Sequence, residues 1–361
     1  MRMESDTHSH LRYTGSIVIL GVAFVSSRFP LPLSSVCRRF VTGALLCMLA
    51  MSSVHAQQRN PLQKVGQTVL DEPAQSYRFE RFVIDSADHS RRWRVNVGVP
   101  VAQGKAPAPV LYMLDGNAAA MVLDQPMLAE LAAKAAPVLV FIGYDNDLRV
   151  DSTARTRDYT AWIDVADDES GKTVSSGGGA FLFLDMIERQ IKPKVEKRAR
   201  IDPEQQSLWG HSLGGLFVLS TLYTRPAAFQ HYIAASPSLW WSQGAPQRDL
   251  EKQFIDNRRG QPAQLTVMLG GDERSGNRGV RDMSNPRVVA HLRRIGGATP
   301  DAAWQLSQRL GELPGLQVGY REFPGLGHGP MLPASLKATL SQLYGIADRS
   351  TTPTAADSTA D

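Results

Sequence analysis

From residue 77 onward the chain alternates short apolar runs with longer stretches of helical spacing, and this rhythm constrains the fold more than any other feature. Residues 77–84 and 93–99 alternate apolar with polar side chains, the period of half-buried strands, and 85–90 link them as a hairpin. Residues 110–114 and 138–142 are continuous apolar runs, as strands buried on both faces require. Residues 207–209, 232–235, 265–269 and 317–323 complete the strand set. Between the strands, 118–136 is rich in Ala, Leu and Met, 181–198 has helical spacing with Pro193 kinking its last part, and 213–223 is helix-forming. Two antiparallel strands followed by alternating strands and helices predict an α/β domain. It should have a mostly parallel central sheet, antiparallel N-terminal strands and helices on both faces. One sheet within 57–347 accounts for the pattern more simply than two domains. Residues 145–179 interrupt it: they are polar, charged and end in Ser175-Ser176-Gly177-Gly178-Gly179. They read as a mobile loop insertion over one end of the sheet. Residues 348–361, rich in Thr, Ser, Ala and Asp, read as a disordered tail.

The first 56 residues differ in kind. Arg38 and Arg39 precede an apolar run at 40–51, followed by small residues and Val54-His55-Ala56. That is the order of a secretory signal with cleavage near Ala56. The alternative is a retained anchor, but the run falls short of the roughly 20 apolar residues a spanning helix needs. A second apolar stretch at 17–25 lies upstream, and two in series are unusual for one signal. Residues 1–35 therefore read as an overextended start of the reading frame, with a long, atypical leader as the alternative. Within the leader, Arg2, Arg12, Arg28, Arg38 and Arg39 against Glu4 and Asp6 supply +3 of the chain's +4. The remainder is close to neutral, so the charge gives no argument for a nucleic-acid partner. Cys37 and Cys47, the two cysteines of the chain, also lie in the leader. Disulfides, thiolate metal sites and cysteine nucleophiles are thereby excluded from the exported part. The roughly 300 residues that remain are enough for a core to stabilise alone. These features fit a periplasmic protein with no membrane span after signal cleavage.

Gly210-His211-Ser212-Leu213-Gly214 matches G-x-S-x-G. The pentapeptide alone is a weak signal, since common residues produce it by chance. Its setting is more specific: a strand enters and a helix leaves, as the nucleophile elbow of the α/β-hydrolase fold requires. Gly210 and Gly214 are expected to avoid collisions two residues either side of the serine. The helix N-terminus aims N–H groups at the site and favours a developing oxyanion. A serine hydroxyl needs a base, and the chain order in this fold is Ser, acid, His. His231, His291 and His328 follow Ser212. His231 begins a strand, the wrong end for this site. His291 lies in a predicted helix beside Arg293 and Arg294, on a solvated face. His328 follows the last strand inside Gly325-Leu326-Gly327-His328-Gly329, the loop that presents the base. The acid should follow the preceding strand, where Gly270-Gly271-Asp272-Glu273 offers two carboxylates. Glu273 lies further past the strand end and is preferred, with Asp272 as the alternative. The expected oxyanion donors are the N–H groups of Leu213 and Asn117, with Gly116 permitting close backbone approach. Gly171-Lys172-Thr173 resembles the end of a phosphate loop but lacks the glycine-rich lead and the preceding strand.

At these residues the sequence resembles the esterase family of α/β-hydrolases that includes periplasmic enterobactin-type (catecholate) siderophore esterases and the feruloyl and S-formylglutathione esterases. The resembling segments are Tyr112-Met113-Leu114-Asp115-Gly116-Asn117, Arg155-Thr156-Arg157-Asp158-Tyr159-Thr160, Gly178-Gly179-Ala180-Phe181-Leu182, the extended serine motif through Phe217, Ala235-Ser236-Pro237-Ser238-Leu239-Trp240-Trp241, and the His328 loop. Together they cover about 77–345. The serine motif is common to many hydrolases, whereas the Arg155 and Ser236 segments point to the siderophore-esterase branch. The resemblance implies a triad of Ser212, His328 and Glu273 or Asp272, or a Ser–His dyad as in some members of that branch. It also implies a ferric tris-catecholate trilactone as substrate, trianionic and aromatic. Arg155, Arg157 and Arg149 are then candidates to meet its charge, and Trp240 and Trp241 to pack on its rings. His211, beside the nucleophile, is grouped with these substrate contacts. Arg157 has a structural alternative in pairing with Asp158, and one of the two tryptophans in the core.

The expected protein is thus a serine carboxylic-ester hydrolase of the periplasm working through an acyl-enzyme. No metal or organic cofactor enters the chemistry, and iron comes only as part of a small-molecule siderophore ester. The alternatives are a generic acyl or feruloyl-type esterase, or an acyltransferase, using the same triad. From another class, a catalytically silent siderophore-binding protein is disfavoured by the intact Ser212 and His328. No sequence feature sets the oligomeric state.

Overall fold

The computed structural model describes residues 62–351, apart from 103, 105, 168–172, 277–288, 290–291, 293–295 and 297. The expected leader, His291 and the end of the tail at 352–361 lie outside the described residues.

The strands are β1 (Tyr77–Asp85), β2 (Arg92–Pro100), β3 (Ala108–Met113), β4 (Val138–Tyr144), β5 (Ile163–Asp167), β6 (Thr173–Gly177), β7 (Ile201–His211), β8 (His231–Ala235), β9 (Ala263–Gly270) and β10 (Leu316–Phe323). Eight of them form one sheet in the order β1-β2-β4-β3-β7-β8-β9-β10. β1 pairs antiparallel with β2, and β2 antiparallel with β4. From β4 to β10 every pairing is parallel. The expected α/β-hydrolase architecture is therefore present, including the antiparallel start.

Both faces of the sheet are covered, which explains the unbroken apolar runs of its central strands. In β3, Val110 and Tyr112 enter one apolar layer and Leu111 and Met113 the other. The first layer is closed by Phe183 and Leu184 of the helix Ala180–Met186 and by Leu216 and Leu219 of the helix Leu213–Thr224. The second is closed by Leu128 and Leu131 of Gln125–Lys134 and by Leu336 and Leu340 of Met331–Tyr344. Each such side chain, fully buried, contributes about 1.5–3 kcal/mol.

Four segments differ from the sequence-based expectation. The helix expected at 118–136 is two helices, Gly116–Ala120 and Gln125–Lys134. Asp124 starts the second by accepting the Met127 N–H at 2.8 Å, and Pro126 sits in its first turn. The helix around Pro193 passes through a π-helical stretch, Ile187–Ile191, before Lys192–Glu196. Pro193 lacks the N–H that would close the bond to Arg189, so the ladder is displaced just ahead of it. The insertion at 145–179 is more than a loop. Asp151 caps a helix, Ser152–Tyr159, accepting the Ala154 N–H at 2.9 Å, and β5 and β6 form a separate antiparallel hairpin. The first residues of the expected tail are also held on the body. Asp348 pairs with Arg321 and Arg349 with Glu130, each at 2.8 Å, and Ser350 is buried.

Candidate active site

β7 runs directly into the serine turn. Ser212 has φ 62° and ψ −120° and is followed at once by the helix Leu213–Thr224. The turn is so tight that a Cβ on Gly210 would lie 2.4 Å from the Gly214 carbonyl oxygen. Gly214 itself is not sterically required, since a Cβ there would meet Leu114 at an ordinary 3.5 Å. The second strict position is Gly215, where a Cβ would lie 2.8 Å from the Ala235 carbonyl oxygen.

The parallel order β7-β8-β9-β10 brings four strand ends to one edge of the sheet, and the chemistry-bearing side chains follow them. His328, beyond β10, places Nε2 2.9 Å from Ser212 Oγ. Its Nδ1 lies 2.5 Å from Glu273 Oε2, in the turn beyond β9. Glu273, and not Asp272, is thus the carboxylate that reaches the imidazole. Asp272 instead uses its backbone N–H, on the Leu326 carbonyl at 3.2 Å. Glu273 Oε1 accepts from Ser236 Oγ at 2.6 Å and from the Gly270 N–H at 3.2 Å. Burial pushes the Glu273 carboxyl up. The bonds from His328, Ser236 and Gly270 outweigh that and hold it below the usual glutamate range. An ionised Glu273 fixes the proton of His328 on Nδ1, so Nε2 presents a lone pair to the Ser212 hydroxyl.

The loop after β3 meets the serine turn from the other side. Asp115 is left-handed, with φ 50°, and its N–H donates to Tyr159 Oη at 3.0 Å. Arg155 forks onto the Asp115 carboxylate at 2.9 and 2.8 Å and donates to the His211 carbonyl at 3.1 Å. Arg155, a candidate to meet the substrate's charge, is thus placed on Asp115 and the His211 carbonyl. The guanidinium is buried, and its charge lies against the residue preceding Ser212. His211 is likewise buried. Its Nε2 donates to the His328 carbonyl at 2.9 Å, and the two rings lie 4.7 Å apart. Asn117 ties its side-chain amide to the Leu148 and Asn146 carbonyls at 2.8 and 3.2 Å. Gly116 packs on the backbone of Phe141 and Ile142. The backbone N–H groups of Asn117 and Leu213 both fall in first helical turns, where no intrahelical carbonyl takes them.

Among the remaining expected substrate contacts, Trp241 belongs to the core and its indole N–H donates to the Trp162 carbonyl at 3.4 Å. Trp240 is half-buried beside it, Arg149 is half-buried and Arg157 is exposed. Arg157 does not take up the expected pairing with Asp158. That carboxylate is buried and accepts from Arg91 at 2.9 Å, Trp93 Nε1 at 2.7 Å and Tyr144 Oη at 3.3 Å. His231 contacts Ser207 within the sheet at 3.2 Å, and burial lowers its pKa. Among the described residues no cluster of three or more His, Cys, Asp or Glu could hold a metal ion.

Two hydroxyls at the site escaped the sequence reading. Ser236 contacts Glu273, and Ser238 lies 3.2 Å from Ser212 Oγ. The available signal was their place directly after β8, but it acquires meaning only once β8 is known to lie between β7 and β9.

Fold and side-chain arrangement together define an α/β-hydrolase. The chain belongs to the esterase family described as Putative esterase, which matches residues 86–285. It is 31% identical over 304 residues to the apo-salmochelin esterase of Escherichia coli O6:H1 (strain CFT073), spanning 83% of this chain and 90% of that one. It is 30% identical over 269 residues to the ferri-bacillibactin esterase BesA of Bacillus subtilis (strain 168), spanning 72% and 86%. Among solved structures, the enterobactin hydrolase IroE in complex with DFP is similar at a TM-score of 0.57 and 32% identity, over 77% of this chain and 99% of that one. The chain is a carboxylic-ester hydrolase. Among the described residues no helix is long and apolar enough to cross a membrane.

Proposed function

We propose that this hydrolase cleaves the trilactone esters of a ferric catecholate siderophore through an acyl-enzyme on Ser212. The observation that carries the mechanism is the unbroken line from Ser212 Oγ through His328 to Glu273, at 2.9 and 2.5 Å. Ser212 Oγ attacks the ester carbonyl carbon and its proton passes to His328 Nε2, while the carbonyl electron pair moves onto oxygen. The N–H groups of Leu213 and Asn117 receive that oxyanion. Collapse restores the carbonyl and expels the alcohol, which takes the proton from His328. Water then repeats the attack on the acyl group, with His328 again as base, and Ser212 leaves reprotonated. Protein groups alone carry these steps, and iron enters only with the substrate.

The substrate class is supported by three similar proteins whose names refer to salmochelin, bacillibactin and enterobactin. Arg157, Arg149 and Trp240 are the accessible candidates for holding an anionic aromatic ligand. We further propose that residues 1–56 are an export leader removed near Ala56 and that the catalytic domain works in the periplasm. The test compares ferric enterobactin with p-nitrophenyl butyrate, using the wild-type protein and Ser212→Ala. Preferential cleavage of the trilactone, abolished in the variant, is expected. Preference for the simple ester would overturn the siderophore reading, and activity surviving in Ser212→Ala would overturn the serine mechanism.

A further inference from the structure

The turn after β8 reaches both ends of the hydrogen-bonded line. Ser236 and Ser238 are 2% and 1% exposed. Proton accounting fixes the direction of the contact between Ser238 and Ser212. With Glu273 ionised, His328 carries its proton on Nδ1 and accepts at Nε2. The single hydroxyl hydrogen of Ser212 points there, so Ser212 Oγ can only accept from Ser238. At the other end Ser236 can only donate to the Glu273 carboxylate.

The backbone of this turn is held without either hydroxyl. The Ser212 N–H donates to the Ala235 carbonyl at 2.9 Å, the Ser238 N–H to the Ser212 carbonyl at 3.1 Å, and the Ser236 N–H to the Met268 carbonyl at 2.7 Å. Gly215 permits the close seat, since a Cβ there would also lie 3.1 Å from Pro237 Cα. Ser236 has φ 41°, a region that costs a non-glycine residue energy.

We propose that Ser236-Pro237-Ser238 is a bracket that sets both ends of the relay. Ser238 is a further catalytic residue, donating to the nucleophile oxygen itself. Ser236 is a positioning residue acting through Glu273. The proposal rests on the reading of Ser212, His328 and Glu273 given above. During attack the Ser212 proton goes to His328 Nε2 and the Oγ–C bond forms, while Ser238 keeps its own proton. Its donation occupies one lone pair of Oγ and leaves the other for the carbonyl carbon.

Ser236 leaves a distinct trace in the pH dependence. Among the described residues, the other titratable groups near the Glu273–His328 pair include His211 against the imidazole, Asp272 and Arg274 in the acid's own turn, and Glu322 from β10. Arg274 is paired with Glu322 and Asp301, each at 2.8 Å. Removing the Ser236 donor takes away one of the bonds that hold the Glu273 carboxyl down and makes it easier to protonate, which moves the acidic limb of kcat/KM to higher pH.

The experiment measures p-nitrophenyl butyrate hydrolysis across pH for Ser238→Ala, Ser236→Ala and Ser236→Gly, with Ser212→Ala as reference. Ser236→Ala removes the hydroxyl alone, and Ser236→Gly, which removes the Cβ as well, accepts φ 41° without strain and decides the matter even where Ser236→Ala fails to fold. Ser238→Ala is expected to lower kcat by about ten- to a hundredfold at unchanged KM. Ser236→Gly is expected to lower kcat and move the acidic limb upward. A wild-type kcat in Ser238→Ala, or a wild-type limb in Ser236→Gly, overturns the corresponding half of the bracket while an inactive Ser212→Ala leaves the serine reading intact. Activity retained in Ser212→Ala would overturn that reading instead.

Discussion

Ser212 combines two properties that a free serine lacks: a backbone held in a costly conformation and a hydroxyl with a single possible acceptor. Its φ of 62° costs about 1–3 kcal/mol. Backbone bonds from its N–H and to its carbonyl, both shared with the turn after β8, hold it there. The acceptor is fixed one residue further along, because Glu273 decides which nitrogen of His328 is free. Glu273→Gln should therefore lower kcat/KM by about 10²–10⁴-fold, since the amide can present an N–H to Nδ1 and favour the wrong tautomer. Asp272→Asn should stay within about twofold of wild type, because that carboxylate does not reach the imidazole. Steady-state kinetics on a simple ester check both, and an active Glu273→Gln would point to a Ser–His dyad. That Ser212, Glu273 and His328 lie beyond strand ends on one edge of the sheet was legible in the sequence because each follows a strand whose apolar run is plain. The contacts of Arg155 and His211 were not. Their charge and polarity suggested a ligand, and only the fold reveals the Asp115 carboxylate and the His328 carbonyl that occupy them.

At the level of elements, the sheet strands were readable because strands buried on two faces must be apolar throughout. The helix Ser152–Tyr159 was not readable for the opposite reason. Its buried residues are Arg155, Asp158 and Tyr159, two of them charged, so it has no hydrophobic period to detect. Polar bonds fasten it instead: Arg155 to Asp115, Tyr159 Oη to the Asp115 N–H, and Asp158 to β2 and β4 through Arg91, Trp93 and Tyr144. Burial raises the Asp158 carboxyl despite those donors. Asp158→Ala would strand a guanidinium and two buried donors, and should destabilise the fold by about 3–5 kcal/mol. A lowered urea midpoint at constant slope would record it. Because the same helix carries Arg155 to Asp115, esterase activity should fall along with stability. An unchanged midpoint would show that the helix is not fastened through this carboxylate.

Among the described residues, stability comes from two apolar layers on one sheet, and on the proposed removal of residues 1–56 no disulfide could add to it. Both cysteines precede Ala56, and the charge that makes the precursor basic lies largely there too. On the proposed cleavage, the mature chain would be a near-neutral, cysteine-free body whose folding would not depend on the redox state of its compartment. Two outcomes are expected when the full chain is expressed in a bacterium with a periplasm. The protein should be recovered from the periplasmic fraction with its N-terminus near Gln57, and its thermal midpoint should be the same with and without reductant. N-terminal sequencing checks the first and a melting curve the second. An uncut chain left in the cytosol would overturn the leader reading. A midpoint lowered by reductant would require a disulfide, and so a mature chain that retains Cys37 and Cys47.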